Sequence, residues 1–187
     1  MSKMLCNSAA LLATMSMAAA VQAQAPAPAA GAPATGAAAN PPPAVPRARG
    51  PGLALSIEAA QVAFETCKNN GYLVTVLVVD SAGVPVVMLS GDGASERTQG
   101  IAPTKVAAAL RYNMSSGEVL EKSKADAAMA AEIKADPKIG GTVRQGALLL
   151  KVGNQTIGAI AASGAPGGDK DEVCTRAAVE KIKDRLR

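Results

Sequence analysis

The segment LVTVLVVD, residues 73–80, constrains the fold more than any other part of the chain. Its apolar residues occupy both sides of an extended strand, and β-branched side chains of this kind favour strands. We therefore expect a strand at the centre of a sheet, with other elements covering both faces. The composition allows such a core, because 49% of the residues are hydrophobic and the length suits one globular domain.

The segments around this strand predict an α+β order. A helix precedes it in SIEAAQVAFETCKNNG, with Ser56 as its N-cap, and the strand VPVVMLS follows, where Pro85 indicates an edge position or a bulge. Two helices come next, in APTKVAAALRYNMSSG, with Pro103 in the first turn, and in EVLEKSKADAAMAAEIKADP. A hairpin of GALLLKV and QTIGAIAAS and a last helix over about residues 169–185 complete an antiparallel sheet with helices packed on it.

Two segments precede this domain. Residues 1–23 combine a lysine, a mostly apolar stretch and the small-x-small pattern VQA ending at Ala23, so we predict a cleaved signal peptide. A membrane anchor, the alternative, needs a longer and more apolar stretch. Residues 24–52 are rich in Pro, Ala and Gly, which predicts a disordered linker. The folded domain, residues 53–187, is then periplasmic or secreted, with no membrane association after signal cleavage.

Charge and histidine content exclude several functions. The chain has no histidine, which removes the commonest general base, the Ser–His and Cys–His nucleophile pairs and the usual zinc and haem ligand. It has 19 basic and 15 acidic residues, but Lys3, Arg47 and Arg49 lie outside the predicted domain. The domain then carries 16 basic residues against 15 acidic ones. A balance of this kind does not suit a phosphate backbone, so we expect no nucleic-acid partner.

The glycine-rich stretch SGAPGGDKDE precedes the last helix. Asp169 and Glu172 have the spacing of a capping box, which predicts a structural turn that ends in a capped helix. A loop that contacts a ligand is the alternative. A phosphate site is disfavoured, because Asp169 and Asp171 at the helix start would repel an anion.

A dense group of polar residues surrounds the loop and helix that follow the second strand. Its cations could pair with the carboxylates of a porphyrin or of a small organic acid. The alternative is a solvated helix face with ordinary ion pairs. The candidate ligand-binding residues are Asp92, Arg97, Thr98, Thr104, Lys105, Arg111 and Tyr112.

Candidate ligands for a haem iron are few without histidine, because haem proteins use His, Cys, Met or Tyr. Tyr112, Met114 and Met88 are the candidates. Tyr112 and Met114 are two residues apart and cannot share one helical face. The methionines also suit a core-filling role.

Three cysteines are present, and Cys6 lies within the predicted signal peptide. The remaining pair, Cys67 and Cys174, is a disulfide candidate in an exported protein. The first and last helices of this α+β order can lie side by side on one face of the sheet. Both positions also suit small buried apolar residues. Neither cysteine has an evident base beside it and no carboxylate pair stands out, so we predict no catalytic residue.

Two long motifs carry a family resemblance. The run TIGAIAASGAPGGDKDEVCTRAAVEKI, with VTVLVVDSAGVPVVMLSGDGA upstream, resembles the GlcG/HbpS family of haem-binding proteins, which includes the C-terminal domain of PduO-type corrinoid proteins. The similarity runs from about Leu55 to Ile182. It implies a profilin-like fold, a homo-oligomer and, in some members, haem or another tetrapyrrole as ligand. Ala108 stands where the family has a threonine proposed as haem ligand.

These features predict an exported small-ligand-binding protein, with haem or a related tetrapyrrole as the ligand. We expect haem to be held by its propionates and apolar edge, without a strong axial ligand from the protein. Two alternatives stay open. One is a haem-degrading or corrinoid-processing enzyme, and the other is an oligomeric scaffold with a vestigial pocket.

Overall fold

The computed structural model describes residues 48–187. The predicted signal peptide, residues 1–23, and the predicted linker as far as residue 47 lie outside this range. The described elements are α1 Leu53–Asn69, β1 Thr75–Asp80, β2 Pro85–Ser90, α2 Glu96–Tyr112, α3 Ser116–Ala125, α4 Ala127–Ala135, β3 Ala147–Val152, β4 Gln155–Ser163, α5 Gly168–Ile182 and a final 3₁₀ turn Lys183–Arg185.

The four strands form one antiparallel sheet in the order β2-β1-β4-β3. The predicted α+β fold, with helices packed on an antiparallel sheet, is confirmed. β1 lies inside the sheet and β2 at its edge, as the sequence indicated. The pairing of these two strands shifts register between Val78 and Val79, opposite Pro85, because proline cannot donate to the ladder.

The two faces of the sheet carry different helices. Val76, Val78 and Ile160 belong to a buried cluster that includes residues of α1 and α5. Leu77 and Val79 belong to a second cluster with residues of α2. The alternation follows from the two-residue period of a strand, so β1 is covered on both faces as its sequence predicted.

Helices α1 and α5 are joined by a disulfide between Cys67 and Cys174, whose Cα atoms are 5.5 Å apart. Both cysteines are buried on the sheet face that these helices cover. The side-by-side arrangement of the first and last helices is therefore present in the structure. Within residues 48–187, no helix combines the length and the apolar character that crossing a bilayer requires.

The start of α1 differs from the prediction. The helix begins at Leu53 with Gly52 as N-cap, whereas Ser56 is buried inside the first turn and donates its hydroxyl to the Gly52 carbonyl at 3.1 Å. The residues before Ser56 are good helix formers and Gly52 tolerates the cap position, so the helix starts earlier. The Arg49 carbonyl also accepts the Ser81 amide at 2.9 Å. The last residues of the predicted linker therefore contact the domain.

Two further helix boundaries were predicted wrongly. Pro103 lies in the interior of α2, because that helix starts at Glu96 inside the segment interpreted as a loop. The alanine-rich stretch after it is divided into α3 and α4. Asp126 ends α3 and caps α4, where its carboxylate accepts the amides of Ala128 and Met129. An aspartate at an N-cap competes with helix continuation, which explains the break.

Candidate functional site

A cleft with converging polar groups lies at the start of α5. Its three walls are one face of α2, the segment before β3 and the glycine-rich loop 164–168. Its volume is about 560 Å³, within the range of roughly 300–1,000 Å³ typical of small-molecule sites. Residues that line it include Arg97, Thr98, Ile101, Lys105, Leu120, Val143, Arg144, Asp169 and Asp171, together with the loop.

A buried ion pair lies beside the cleft. The Lys105 ammonium donates to Asp171 Oδ2 at 2.6 Å and to the Ala162 carbonyl at 2.7 Å. The two charged side chains are only 2% and 5% exposed. The pair joins α2 to α5 around the end of β4, so it connects helices that cover opposite faces of the sheet.

Burial and mutual attraction act in opposite directions on the pair. Burial lowers the pKa of the Lys105 ammonium, and the Asp171 carboxylate opposes that shift. Burial likewise raises the pKa of the Asp171 carboxyl, and Lys105 opposes it. Each charge therefore depends on the other, and removing one partner would leave an uncompensated buried charge.

The glycine-rich loop is organised by Asp171, not by the predicted capping box. The N-cap of α5 is Gly167, and no side chain caps the helix. Asp169 therefore does not have the predicted N-cap role, and Glu172 pairs with Arg176 one turn along the helix. Asp171 Oδ1 instead accepts the Ala165 amide at 3.0 Å. The N-cap lies two residues earlier than predicted, at Gly167 instead of Asp169, and Asp171 is the acidic residue that contacts the loop.

Gly146 leaves room for the ion pair. A Cβ at this position would lie 2.7 Å from Lys105 Nζ and 2.7 Å from Asp171 Cβ. The loop has a similar constraint at Gly164, whose φ is +137° and where a Cβ would lie 2.2 Å from the Leu73 carbonyl oxygen. Any side chain at either position would displace the pair or the loop.

Three of the predicted ligand-binding residues line the cleft. Arg97 and Lys105, with Ile101 between them, follow the four-residue spacing of one helix face. Lys105 is engaged by Asp171, and the Thr98 hydroxyl bonds to Thr75 Oγ1 at 2.8 Å. Arg97 is thus the predicted cation that remains exposed at the cleft.

The other predicted ligand-binding residues lie elsewhere. Arg111 follows Lys105 by six residues, about 240° around the helix, and lines a second groove, where it lies 3.5 Å from Asp136. Thr104 Oγ1 donates to the Ile101 carbonyl within α2, and Asp92 lies in the turn after β2. The single polar cluster predicted from the sequence is therefore divided among several surfaces.

The predicted iron ligands lie away from the cleft. Met88 is 45% exposed on β2, whereas Tyr112 and Met114 pack against the apolar cluster that contains Ala108. None of the described residues that line the cleft is a His, Cys, Met or Tyr. In residues 48–187, no group of three His, Cys, Asp or Glu side chains could hold a metal ion.

Arg144 and Asp171 line the cleft but were not among the predicted ligand-binding residues. Arg144 lies in the segment before β3 and supplies a second arginine to the cleft. Only the polar residues near α2 were grouped, so an arginine some 40 positions later was not considered. Asp171 lies within the SGAPGGDKDE motif, and the acidic residues that follow its glycines were the available signal.

The fold and cleft define a small α+β domain with a ligand-sized cleft at the start of its last helix. The chain belongs to the HbpS-like family, because residues 53–180 match the family model described as "Haem degrading protein HbpS-like". The resemblance predicted from the two sequence motifs is confirmed.

Solved structures agree with this assignment. A double mutant of Streptomyces reticuli HbpS is 28% identical with a TM-score of 0.64, over 80% of this chain and 99% of that chain. Klebsiella pneumoniae protein ORFY is 17% identical with a TM-score of 0.66, over 76% of this chain and 97% of that chain. A PduOC:Heme complex is 19% identical with a TM-score of 0.64, over 71% and 95%. The last two show the fold alone. No curated protein sequence matches the chain.

Proposed function

We propose that the cleft binds haem or a related tetrapyrrole. Family membership and the description of the family as haem degrading support a haem-related ligand. The similar fold of a domain in complex with haem is consistent with this class of ligand. The ligand, its location and its contacts in this chain are our proposal.

The observation that carries the proposal is a pair of arginines on two walls of the cleft. Arg97 belongs to α2 and Arg144 to the segment before β3. Guanidinium groups bind carboxylates in a planar, bidentate manner, and a haem-type tetrapyrrole carries two propionates. Apolar side chains from three elements, Ile101, Leu120 and Val143, share the cleft with them and would contact the macrocycle.

The cleft residues suit the propionates and the macrocycle of haem. Lys105 is held by Asp171 and the Ala162 carbonyl, so it is not the propionate partner that the sequence suggested. The predicted iron ligands Tyr112, Met114 and Met88 lie outside the cleft lining. The proposed contacts are therefore carboxylate pairing and apolar packing. The first of these weakens as salt screens exposed charges.

A hemin titration followed by absorbance tests the proposal. We expect saturable binding that weakens at high salt, and a loss of about tenfold in affinity for Arg97→Ala with Arg144→Ala, at roughly 0.5–1 kcal/mol for each exposed pair. Arg111→Ala is the matched control, because that arginine lies in the other groove. Absence of hemin binding, or equal losses for the control and the double variant, would contradict the proposal.

The family description also favours a second candidate function, haem degradation. Incubation with hemin, a chemical reductant and dioxygen, followed by mass spectrometry of the pigment, separates the two candidates. Recovery of intact haem supports binding alone. A ring-opened tetrapyrrole that forms only in the presence of the protein supports an enzyme.

Export and self-association are part of the proposal. The Cys67–Cys174 disulfide supports an oxidising compartment such as the periplasm or the exterior of the cell. Exposed apolar side chains, among them Met88 on the edge strand β2 and Val84 just before it, support a homo-oligomer. Fractionation of the native host tests the first statement, and light scattering of the purified protein tests the second.

A further inference from the structure

We propose that the Lys105–Asp171 pair is a positioning device for the cleft. The pair would hold the glycine-rich loop 164–168 in the conformation that forms one wall, without binding the ligand itself. This inference deepens the proposed function and rests on it, because it assigns a role to residues beside the same cleft.

The two oxygens of Asp171 have different partners. Oδ2 accepts the Lys105 ammonium at 2.6 Å, and Oδ1 accepts the Ala165 amide at 3.0 Å. One carboxylate therefore ties the loop backbone to a cation on α2. Gly164, Ala165 and Pro166 all line the cleft, so the conformation fixed by this bond is that of the cleft wall.

Stability alone does not explain why such a pair is buried. Removing two charges from water is costly, and apolar residues of similar volume often replace a buried ion pair without loss of stability. Helix α5 is already attached to α1 by the disulfide three residues along. What an apolar pair could not supply is an acceptor for the half-buried Ala165 amide, and without that acceptor nothing on α5 would fix the loop backbone at this position.

Two double variants separate the loop acceptor from the charges. Lys105→Met with Asp171→Asn removes both charges but keeps an amide oxygen that can accept from Ala165. Lys105→Met with Asp171→Leu removes both charges and the acceptor. Neither variant leaves an unpaired buried charge, so both are expected to fold, and they differ in whether position 171 offers an acceptor to the Ala165 amide.

The test measures two quantities on the full chain: hydrogen exchange of the Ala165 amide without ligand, and the dissociation constant of hemin. We expect the variant with leucine to exchange faster at Ala165 and to bind hemin about five- to tenfold more weakly than the variant with asparagine, the size of one hydrogen bond. The amides of β4 paired with β1 should stay protected in both. Equal exchange at Ala165, or faster exchange with unchanged hemin affinity, would overturn the inference.

The two proposals fail in different ways. If the unmutated chain does not bind hemin, the proposed function fails, while the exchange of Ala165 still shows whether the carboxylate holds the loop. If the unmutated chain binds hemin and the two double variants bind it equally, the proposed function stands and the positioning role is wrong.

Discussion

Helix α5 is attached to the rest of the domain at two points one turn apart, and the two attachments differ in kind. Cys174 forms a disulfide with Cys67 on α1, within the apolar face of the sheet. Asp171 forms an ion pair with Lys105 on α2, beside the cleft. One attachment is covalent and surrounded by apolar side chains, whereas the other is ionic and also holds a loop.

The difference indicates two separate roles for one helix. A disulfide acts mainly by restricting the unfolded chain, and its effect does not depend on fine placement of neighbouring groups. A buried ion pair adds little net stability, but it demands particular geometry from both partners. We therefore expect loss of the disulfide to lower stability most, and loss of the pair to affect the cleft as well.

The largest effect is expected from Cys67→Ala with Cys174→Ala. The disulfide spans 107 residues of sequence, and closing a loop of about that length stabilises a folded domain by about 4–5 kcal/mol. Urea unfolding of the double variant should show this loss in the free energy of unfolding. Hemin affinity of the fraction that remains folded should not change, because neither cysteine lines the cleft.

Reduction of the unmutated protein provides an independent check. Unfolding in the presence of a reductant should give the same loss, and the reductant should have no effect on the double variant. A double variant as stable as the unmutated chain would show that the disulfide is not what anchors α5.

The next largest effect is expected from Lys105→Met alone. It leaves Asp171 buried without its cation, which costs about 3 kcal/mol, whereas either double variant should cost less. The direction of the pH dependence of stability follows from burial, which raises the pKa of the Asp171 carboxyl in the folded state. The folded variant then holds a proton that the unfolded chain has lost. Its stability relative to the unmutated chain should rise as the pH falls into the carboxyl range.

Urea unfolding at several pH values measures that trend. Lys105→Met should lose least at the acidic end and most at neutral pH. A loss that is independent of pH would mean that removing Lys105 does not change the pKa of Asp171 in the folded state. A double variant with Asp171→Leu that is less stable than Lys105→Met alone would show that the buried charge was not the source of the cost.

The sequence predicted well the apolar region around β1 and the disulfide. An apolar run such as LVTVLVVD allows few placements, because only a central strand buries both of its faces. The pairing of Cys67 with Cys174 follows from the same order of elements. Burial of large apolar side chains is encoded locally, so short segments of the sequence were enough.

The polar contacts of the cleft were predicted only in part, because they join residues that are far apart in the chain. Lys105 was identified, but its role depends on Asp171, which is 66 residues away in the chain. Arg111 was grouped with it, although the helix directs the two residues to different surfaces. The N-cap of α5 is Gly167 and not the predicted Asp169, and Asp171 is the aspartate that contacts the loop. Polar contacts depend on such details, which periodicity does not specify.

The smallest effect is expected at α3, whose Leu120 lines the cleft. Its N-terminus has a complete capping box, in which Ser115 Oγ accepts the Glu118 amide and the Glu118 carboxylate accepts the Ser115 amide at 2.8 Å. Ser115→Ala should lower the free energy of unfolding by about 1 kcal/mol, the usual cost of losing such a cap. Because α3 only borders the cleft, hemin affinity should change less than in the variants of the Asp171 acceptor.

Glu118→Gln tests the charged half of the same capping box through its pH dependence. The hydrogen bond from the Ser115 amide lowers the pKa of the Glu118 carboxyl in the folded state. The stability that the carboxylate contributes is therefore present above the usual glutamate pKa and lost as the pH falls through the lowered value. The difference in the free energy of unfolding between the unmutated chain and Glu118→Gln should therefore shrink in acid. A difference that stays constant with pH would mean that the charge of the Glu118 carboxylate does not contribute to the cap.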